Sequence, residues 1–121
     1  MARIALIGTA GRDKNYPLTR ELWDAMTGDV GVWINPEDVL ISGGAAWADH
    51  LAVHAWLKGW CAGLELYLPA PLEGGRFAGP FKSAGSTANY YHQRFSGVIG
   101  EDTLAQVAHA IEKAPSPSLS L

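Results

Sequence analysis

The sequence predicts an α/β fold built around a small, mainly parallel sheet, and three observations lead to this prediction. Short continuous apolar runs, typical of strands buried on both faces, end in small or polar residues. Segments with apolar residues at helical spacing separate these runs. Strands that alternate with helices form parallel layers with right-handed crossovers. We therefore expect one domain over residues 1–114, followed by a disordered tail over 115–121.

The first half of the chain predicts two strands and two helices. The runs "RIALIG" at 3–8 and "DVLIS" at 38–42 are the two strands. Residues 18–27 have helical spacing and follow Pro17, and Gly28 is expected to end that helix. The segment "VGVWI" at 30–34 fits either a short strand or a packed loop. Residues 45–60 are expected to form a long helix.

The second half predicts one strand, a long loop and two helices. The strand is "LELYLP" at 64–69. Residues 70–85 are rich in glycine and proline without periodicity, which indicates a loop that is functional or mobile. A helix is expected to begin at Ser86 or Thr87, and residues 101–113 have the apolar face of an amphipathic helix.

Composition and charge narrow the classes of function. The 121 residues suit one domain, and 48% apolar residues suffice for a core. A net charge of −3 argues against sequence-independent nucleic-acid binding, which needs a basic face. The single cysteine excludes an internal disulfide and fits a reducing compartment. With no targeting pattern and no apolar run of membrane-spanning length, we expect a cytoplasmic protein without a membrane partner.

Two loops of small residues follow the first two strands. They are Gly8-Thr9-Ala10-Gly11-Arg12-Asp13 and Ser42-Gly43-Gly44-Ala45. Loops at the carboxyl ends of neighbouring parallel strands line one crevice. Glycines allow close backbone approach, and a helix N-terminus offers unpaired N–H groups to an anion. The loops therefore predict a phosphate or ribose-phosphate site with Arg12 as an anion ligand, and a tight turn without a ligand is the alternative.

Two helices supply further candidates. Asp49, in the first helical turn, can complement the helix dipole, bind a ligand hydroxyl or act as an acid/base group. A face that carries Thr87, Tyr90, Tyr91 and Arg94 can stack a base and clamp a phosphate, or can be a core edge with polar tips. His50 and His54 have the spacing of a zinc pair without a suitable third ligand, so a solvated stripe is the better interpretation. We expect no metal and no cofactor.

The motifs "IGTAGRD" and "ISGGAAWADHLA" together resemble the SLOG superfamily of Rossmann-like nucleotide-binding proteins. The resemblance is greatest to the small DUF2493 (YspA-like) branch, and the superfamily also contains the DNA-processing protein DprA and the LOG phosphoribohydrolases. The matching residues are Arg12, Asp13, Gly43, Gly44, Ala45, Ala48, Asp49 and Ala52. Trp47 replaces a family glycine, so the loop must have a different shape, or Trp47 must point away from a ligand or stack on it. The catalytic glutamate of the LOG signature would fall at His50.

The resemblance implies a Rossmann-like three-layer fold that binds a nucleotide or nucleotide-derived ligand, ADP-ribose-like or a nucleoside monophosphate, as a sensor or sequestering module. One alternative is hydrolysis of the N-glycosidic bond of a nucleoside monophosphate, with Asp49 as the acid/base group and Arg12 as the phosphate clamp. Another is a structural oligomeric subunit with a vestigial pocket. The candidate ligand-binding residues are Gly8, Thr9, Gly11, Arg12, Asp13, Ser42, Gly43, Gly44, Ala45, Trp47, Asp49, Thr87, Tyr90 and Arg94.

The expected assembly is a homo-oligomer. A three-stranded sheet and a largely apolar helix at 45–60 leave apolar surface to cover. We expect Trp47, Trp56 or Trp60 at the contact.

Overall fold

Strands and helices alternate along the chain in the computed structural model, which describes residues 2–12, 15, 17–113 and 118–120. A short 3-10 helix, Trp47–Asp49, precedes α2. The α/β class is confirmed. The elements in chain order are β1 (Arg3–Ala5), α1 (Arg20–Trp33), β2 (Val39–Ser42), α2 (His50–Leu57), β3 (Gly63–Tyr67), β4 (Leu72–Glu73), β5 (Arg76–Phe77), α3 (Ala84–Ile99), α4 (Thr103–Lys113) and β6 (Ser118–Ser120).

The main sheet is parallel and has the strand order β1-β2-β3-β6. On one face the side chains of β2 and β3 are buried, because alternate residues of a strand point to opposite faces. On the opposite face Arg3 pairs with Glu65 at 2.6 Å, and the residues are half-buried or exposed. Because the strands of the main sheet follow chain order, right-handed crossovers place the connecting helices on one face of the sheet. The three-layer Rossmann-like arrangement therefore stays a prediction.

Helix α1 is longer than predicted. Thr19 caps its start, where the side-chain oxygen accepts a hydrogen bond from the backbone N–H of Leu22 at 3.1 Å. The prediction that Gly28 ends the helix is wrong, and "VGVWI" is its last turn rather than a strand or loop. A glycine inside a helix costs only about 1 kcal/mol. The helix ends before Asn35-Pro36, because the residue before a proline disfavours helical backbone.

Helix α2 is buried on nearly all sides. It packs against α1, α4 and the strands β2 and β3. Its buried residues are His50, Leu51, Ala52, Val53, Ala55 and Trp56. The long helix expected over 45–60 is shorter than predicted, and the sheet and two helices cover it.

An aromatic cluster around Phe95 joins α1, α2 and α3. Phe95 is fully buried, and its ring centroid lies 4.9 Å from that of Trp23 and 4.5 Å from that of Trp47. His50 completes the cluster at 5.3 Å. Offset and edge-to-face pairs of this kind each contribute about 0.5–1.5 kcal/mol beyond area burial, so the cluster stabilises the helical layer.

The predicted long loop over 70–85 contains an antiparallel hairpin, β4–β5, closed by Gly74 and Gly75 with φ of 59° and 78°. Two positive φ values are the requirement of a type I′ turn, which two glycines meet. Asn89 of α3 fastens this hairpin, because its amide accepts from the N–H of Phe77 at 2.9 Å and donates to the carbonyl of Phe77 at 2.8 Å. The hairpin is thereby held over α3.

Two further boundaries differ from the sequence prediction. Helix α3 begins at Ala84, because Ser83 is the capping residue and accepts from the N–H of Ser86 at 3.2 Å. The predicted cap at Ser86 or Thr87 is therefore wrong by one turn. A disordered tail was expected from residue 115, but the backbone of Ser118–Ser120 pairs with β3. Residues 114–117 lie outside the described residues.

Candidate functional site

The two loops that follow β1 and β2 meet, as predicted for the carboxyl ends of neighbouring parallel strands. The N–H of Ala48 donates to the carbonyl of Thr9 at 3.3 Å and joins them. A cavity of about 390 Å³ lies beside this junction. Four of the predicted site residues line it: Arg12, Gly43, Ala45 and Thr87. We call it the first cavity.

The first cavity has a cationic and aromatic character. Arg12 and Lys82 both line it, and the Arg12 guanidinium carbon lies 5.0 Å from the centre of the Tyr91 ring. Tyr67 and Pro69 also line it. No carboxylate stands among the described residues that line it. Such a wall attracts an anion and offers aromatic surface to a flat group.

The N-terminus of α3, rather than that of α2, faces the first cavity. Ala84, Thr87 and Ala88 of its first two turns belong to the cavity wall. The first turn of a helix carries unpaired N–H groups and the positive end of the dipole, which favour an anion. Lys82, just before the cap Ser83, adds its charge at the same end.

Asp49 occupies the place where the sequence predicts a phosphate. Its carboxylate is buried with 9% exposure and accepts a hydrogen bond from the backbone N–H of Ala45 at 3.4 Å. Burial raises the pKa of Asp49, and the interactions of the carboxylate with the backbone N–H groups of Ala45, Gly8 and Gly43 oppose that rise. The carboxylate therefore acts as an internal anion that joins the two loops, and it does not line the first cavity.

The predicted glycines are required by packing inside the protein. A Cβ on Gly8 would lie 2.7 Å from Cβ of Ala48, and one on Gly43 would lie 2.7 Å from Oδ2 of Asp49. At Gly44, where φ is 73°, it would lie 2.7 Å from Cδ2 of Leu68. All three separations are shorter than van der Waals contact, so a side chain at any of these three positions would force neighbouring atoms to move.

A buried polar network supports the second loop from behind. The Ser42 hydroxyl donates to the carbonyl of Asp49 at 2.7 Å and accepts from the N–H of Gly44 at 3.3 Å. Nε2 of His92 donates to the carbonyl of Gly44 at 2.8 Å, and Nδ1 of His92 lies 2.9 Å from Oγ1 of Thr103. Burial lowers the pKa of His92, which keeps the ring neutral with its proton on Nε2.

Trp47 points into the core and so away from the first cavity, which matches one of the alternatives that the resemblance implies for this position. Its exposure is 3%, and its backbone has φ of 62°. A residue with a side chain in this left-handed region costs about 1–3 kcal/mol, which the aromatic contacts of Trp47 offset. The left-handed backbone gives a physical reason for a glycine at this position in related loops.

A second cavity, of about 370 Å³, adjoins the first, and Ala10 and Tyr91 line both. Three predicted site residues line this second cavity: Gly11, Trp47 and Arg94. Val98 also lines it and is 42% exposed. The predicted site residues are thus divided between two neighbouring cavities.

The remaining candidates do not reach the two cavities. Gly8, Thr9, Ser42, Gly44 and Asp49 shape the loops from behind, with Thr9 Oγ1 accepting from the N–H of Gly11 at 3.1 Å. Tyr90 is 52% exposed beneath the Arg94 guanidinium and lines neither cavity. Asp13 lies outside the described residues.

Sequence reasoning missed Lys82, Tyr67 and Pro69 in the wall of the first cavity. Tyr67 and Pro69 follow β3 at the carboxyl edge of the sheet, so the rule that identified the first two loops applies to them as well. Lys82 comes just before Ser83, the cap of α3. Its place beside the N-terminus of the helix follows once the start of the helix is known.

The expectation of a solvated histidine stripe is wrong. His50 is fully buried, and burial lowers its pKa to about 3. Its Nε2 lies 2.7 Å from Oε1 of Gln106, and its Nδ1 has no hydrogen-bond partner in the described part of the chain. His54 is half-buried against Trp23 and Trp60. Within the same described part, no group of three or more His, Cys, Asp or Glu side chains is arranged to hold a metal ion.

Of the three tryptophans expected at an oligomer contact, Trp47 and Trp56 are buried and Trp60 is half-buried, so the homo-oligomer stays a prediction. Trp47 and Trp56 are 3% and 7% exposed, and the indole N–H of Trp56 donates to the carbonyl of Ala110 at 3.1 Å. Both rings pack in the interior of one chain. Neither is available to a second copy.

Comparison with known proteins gives one relative of uncharacterized function. The chain is 41% identical over 118 aligned residues to an uncharacterized protein of Acanthamoeba polyphaga mimivirus. The match covers 90% of this chain and 64% of that protein, so the chain spans about two thirds of its length. No family model and no solved structure matches the chain. No helix within the described ranges is long and apolar enough to cross a membrane.

Proposed function

We propose that this protein binds a nucleotide or nucleotide-derived ligand in the first cavity, as a sensor or sequestering module. The observation that carries the proposal is the pairing of Arg12 and Lys82 in a cavity whose described lining residues include no carboxylate. The chain as a whole has a net charge of −3, so this local positive character is opposite to its average. A volume of about 390 Å³ lies within the range of small-molecule sites.

The parts of a nucleotide correspond to parts of the cavity wall. A phosphate fits between Arg12, Lys82 and the N-terminus of α3, where charge and dipole act in the same direction. A base fits against Tyr67 and Pro69, whose rings offer flat surface in the cavity wall. In this proposal the loops lie at the carboxyl ends of the strands, as in Rossmann-like folds.

A larger cavity of about 600 Å³ between the β4–β5 hairpin and α4 suits this ligand less well. Its lining includes Leu68, Leu72 and Ile111, together with Glu112. No cation is found among its described lining residues. A phosphate there would meet a carboxylate and apolar surface, which disfavours it.

Binding is a better proposal than hydrolysis of an N-glycosidic bond. Hydrolysis needs a carboxylate near the anomeric carbon or a base that activates water. The carboxylate of Asp49 is engaged by three backbone N–H groups, and Glu73 lines none of the described cavities. The first cavity therefore offers a ligand positive charge and aromatic surface, without a carboxylate or a histidine among the described lining residues.

The test combines a thermal-shift series over nucleoside mono- and diphosphates with chromatography of the incubated mixtures. The proposal expects a rise in melting temperature with at least one nucleotide and no release of free base. If the wild-type protein released free base faster than the uncatalysed reaction does, the protein would be a hydrolase rather than a binder. If no nucleotide at millimolar concentration raised the melting temperature, nucleotides would be excluded as the ligand.

A further inference from the structure

The second cavity carries groups that the first cavity does not use. Arg94 lines it, and so does Trp47, a tryptophan that is 3% exposed. A Cβ on Gly11 would lie 2.7 Å from Nε1 of Trp47, and Gly11 lines the same cavity. The N–H edge of the indole therefore borders the cavity at Gly11.

The hydrogen bonds of the described residues include none from that indole N–H, whereas the indole N–H of Trp56 donates to the carbonyl of Ala110 at 3.1 Å. An indole N–H is a donor only, so at the edge of a cavity it is available to a ligand acceptor. Gly11 has φ of 83° and leaves room beside Nε1 that any other residue would fill. Two donors, Arg94 and the Trp47 N–H, thus border one space.

We propose that the second cavity binds a second anionic group of the same ligand, held by the Arg94 guanidinium and the Trp47 N–H. Both groups are donors, and the described lining residues include no carboxylate, so the fitting chemistry is an acceptor such as phosphate or carboxylate. Because Ala10 and Tyr91 line both cavities, one ligand can extend from one to the other. The ligand class becomes a nucleotide with two separated anionic groups, and this inference rests on the proposed function.

The test compares two probes by isothermal titration calorimetry. AMP carries one phosphate, and adenosine 3′,5′-bisphosphate carries a second phosphate at another position. We expect the bisphosphate to bind the wild-type protein at least about tenfold more tightly than AMP, since a charge-assisted hydrogen bond gives about 10- to 100-fold in affinity. Arg94→Gln should remove that advantage and leave the affinity for AMP unchanged.

Trp47→Phe is the second variant, because it keeps an aromatic ring against Phe95 and removes the N–H. It should also reduce the preference for the bisphosphate, and circular dichroism and a melting curve check that it folds. Arg76→Gln is the matched control, since Arg76 is exposed and lines neither cavity. Its affinities for both probes should equal those of the wild type.

The outcomes separate this inference from the proposed function. Equal affinity of both probes for the wild type, or an unchanged preference in Arg94→Gln, overturns the second anion site while AMP binding still supports the first cavity. A loss of AMP affinity in Arg94→Gln overturns it as well, because Arg94 would then serve the first phosphate. Failure of both probes to bind the wild type removes the proposed function and this inference together.

Discussion

At the scale of single residues, Asp49 organises the site. Its buried carboxylate interacts with the N–H groups of Gly8, Gly43 and Ala45, which belong to two loops that lie far apart in the sequence. A carboxylate with three backbone donors stabilises a loop pair much as a bound phosphate does. The protein has thus filled this anion site with its own side chain.

Asp49→Asn should therefore lower stability rather than abolish a reaction. The asparagine keeps the size of the side chain, but its NH₂ group faces backbone donors and leaves at least one of them unpaired. The expected loss in the free energy of unfolding is about 1–3 kcal/mol, measured by urea denaturation. Asp29→Asn is the control, because Asp29 is exposed on α1 and should change stability by less than about 0.5 kcal/mol. An Asp49→Asn protein as stable as the wild type would contradict the role of the internal anion.

The sequence pattern indicated Asp49 as a candidate residue but did not show which groups it contacts. An aspartate in the first turn of a helix is a recognisable pattern, and it left capping, ligand binding and acid/base chemistry as open possibilities. The choice depends on Gly8, which only the pairing of β1 with β2 brings close. Contacts between distant residues of this kind are not contained in local spacing.

At the scale of elements, the two glycines of α1 differ in their surroundings. A Cβ on Gly28 would meet nothing within 4 Å, whereas one on Gly31 would lie 3.2 Å from two ring atoms of Trp60. Gly31 therefore allows the α1 backbone to approach the Trp60 ring. Gly28 has no such packing reason within the described structure.

Substitution by alanine is expected to change stability differently at the two positions. Gly28→Ala should raise the free energy of unfolding by about 0.5–1 kcal/mol, because alanine restricts the unfolded chain and favours a helix. Gly31→Ala should gain less or lose stability, since Trp60 has to move. Urea denaturation of both variants measures the difference. Equal gains at the two positions would mean that Trp60 does not pack on α1 as described.

Elements were predictable where local pattern and tertiary contact agree. The strand at 38–42 and the amphipathic helix at 101–113 were found with their ends nearly correct, because apolar periodicity alone specifies them. The end of α1 was missed because Gly28 was given more weight than the following Asn35-Pro36. The β4–β5 hairpin was missed although Gly74-Gly75 is a turn signal, since each of its strands has only two residues.

At the scale of the whole molecule, buried histidines make stability depend on pH. Burial lowers the pKa of His50 to about 3 and also lowers those of His92 and His54. Between pH 6.5 and about 3, the unfolded chain therefore binds a proton at His50 that the folded chain does not. Stability is full above pH 6.5 and falls as pH decreases. Asp49, whose folded pKa is raised, has the opposite and partly offsetting effect at acid pH.

We expect the free energy of unfolding to decrease by about 1.4 kcal/mol per pH unit for His50 alone below pH 6.5. Urea denaturation at pH 7, 6 and 5 measures the slope. His50→Gln, which can still pair with Gln106, should flatten it, and His109→Gln should not, because His109 is exposed. A slope unchanged by His50→Gln would show that His50 is not the buried neutral group described.

The central claim is that Arg12 and Lys82 make the first cavity an anion-binding site for a nucleotide, and calorimetric titration with AMP tests it most directly. Arg12→Gln and Lys82→Gln should each weaken AMP binding by about 10- to 100-fold, because each removes a charge-assisted contact to phosphate. Lys58→Gln, which removes an exposed lysine outside the cavity, should bind AMP as the wild type does. Wild-type affinity for AMP in a folded Arg12→Gln, Lys82→Gln double variant would contradict the claim.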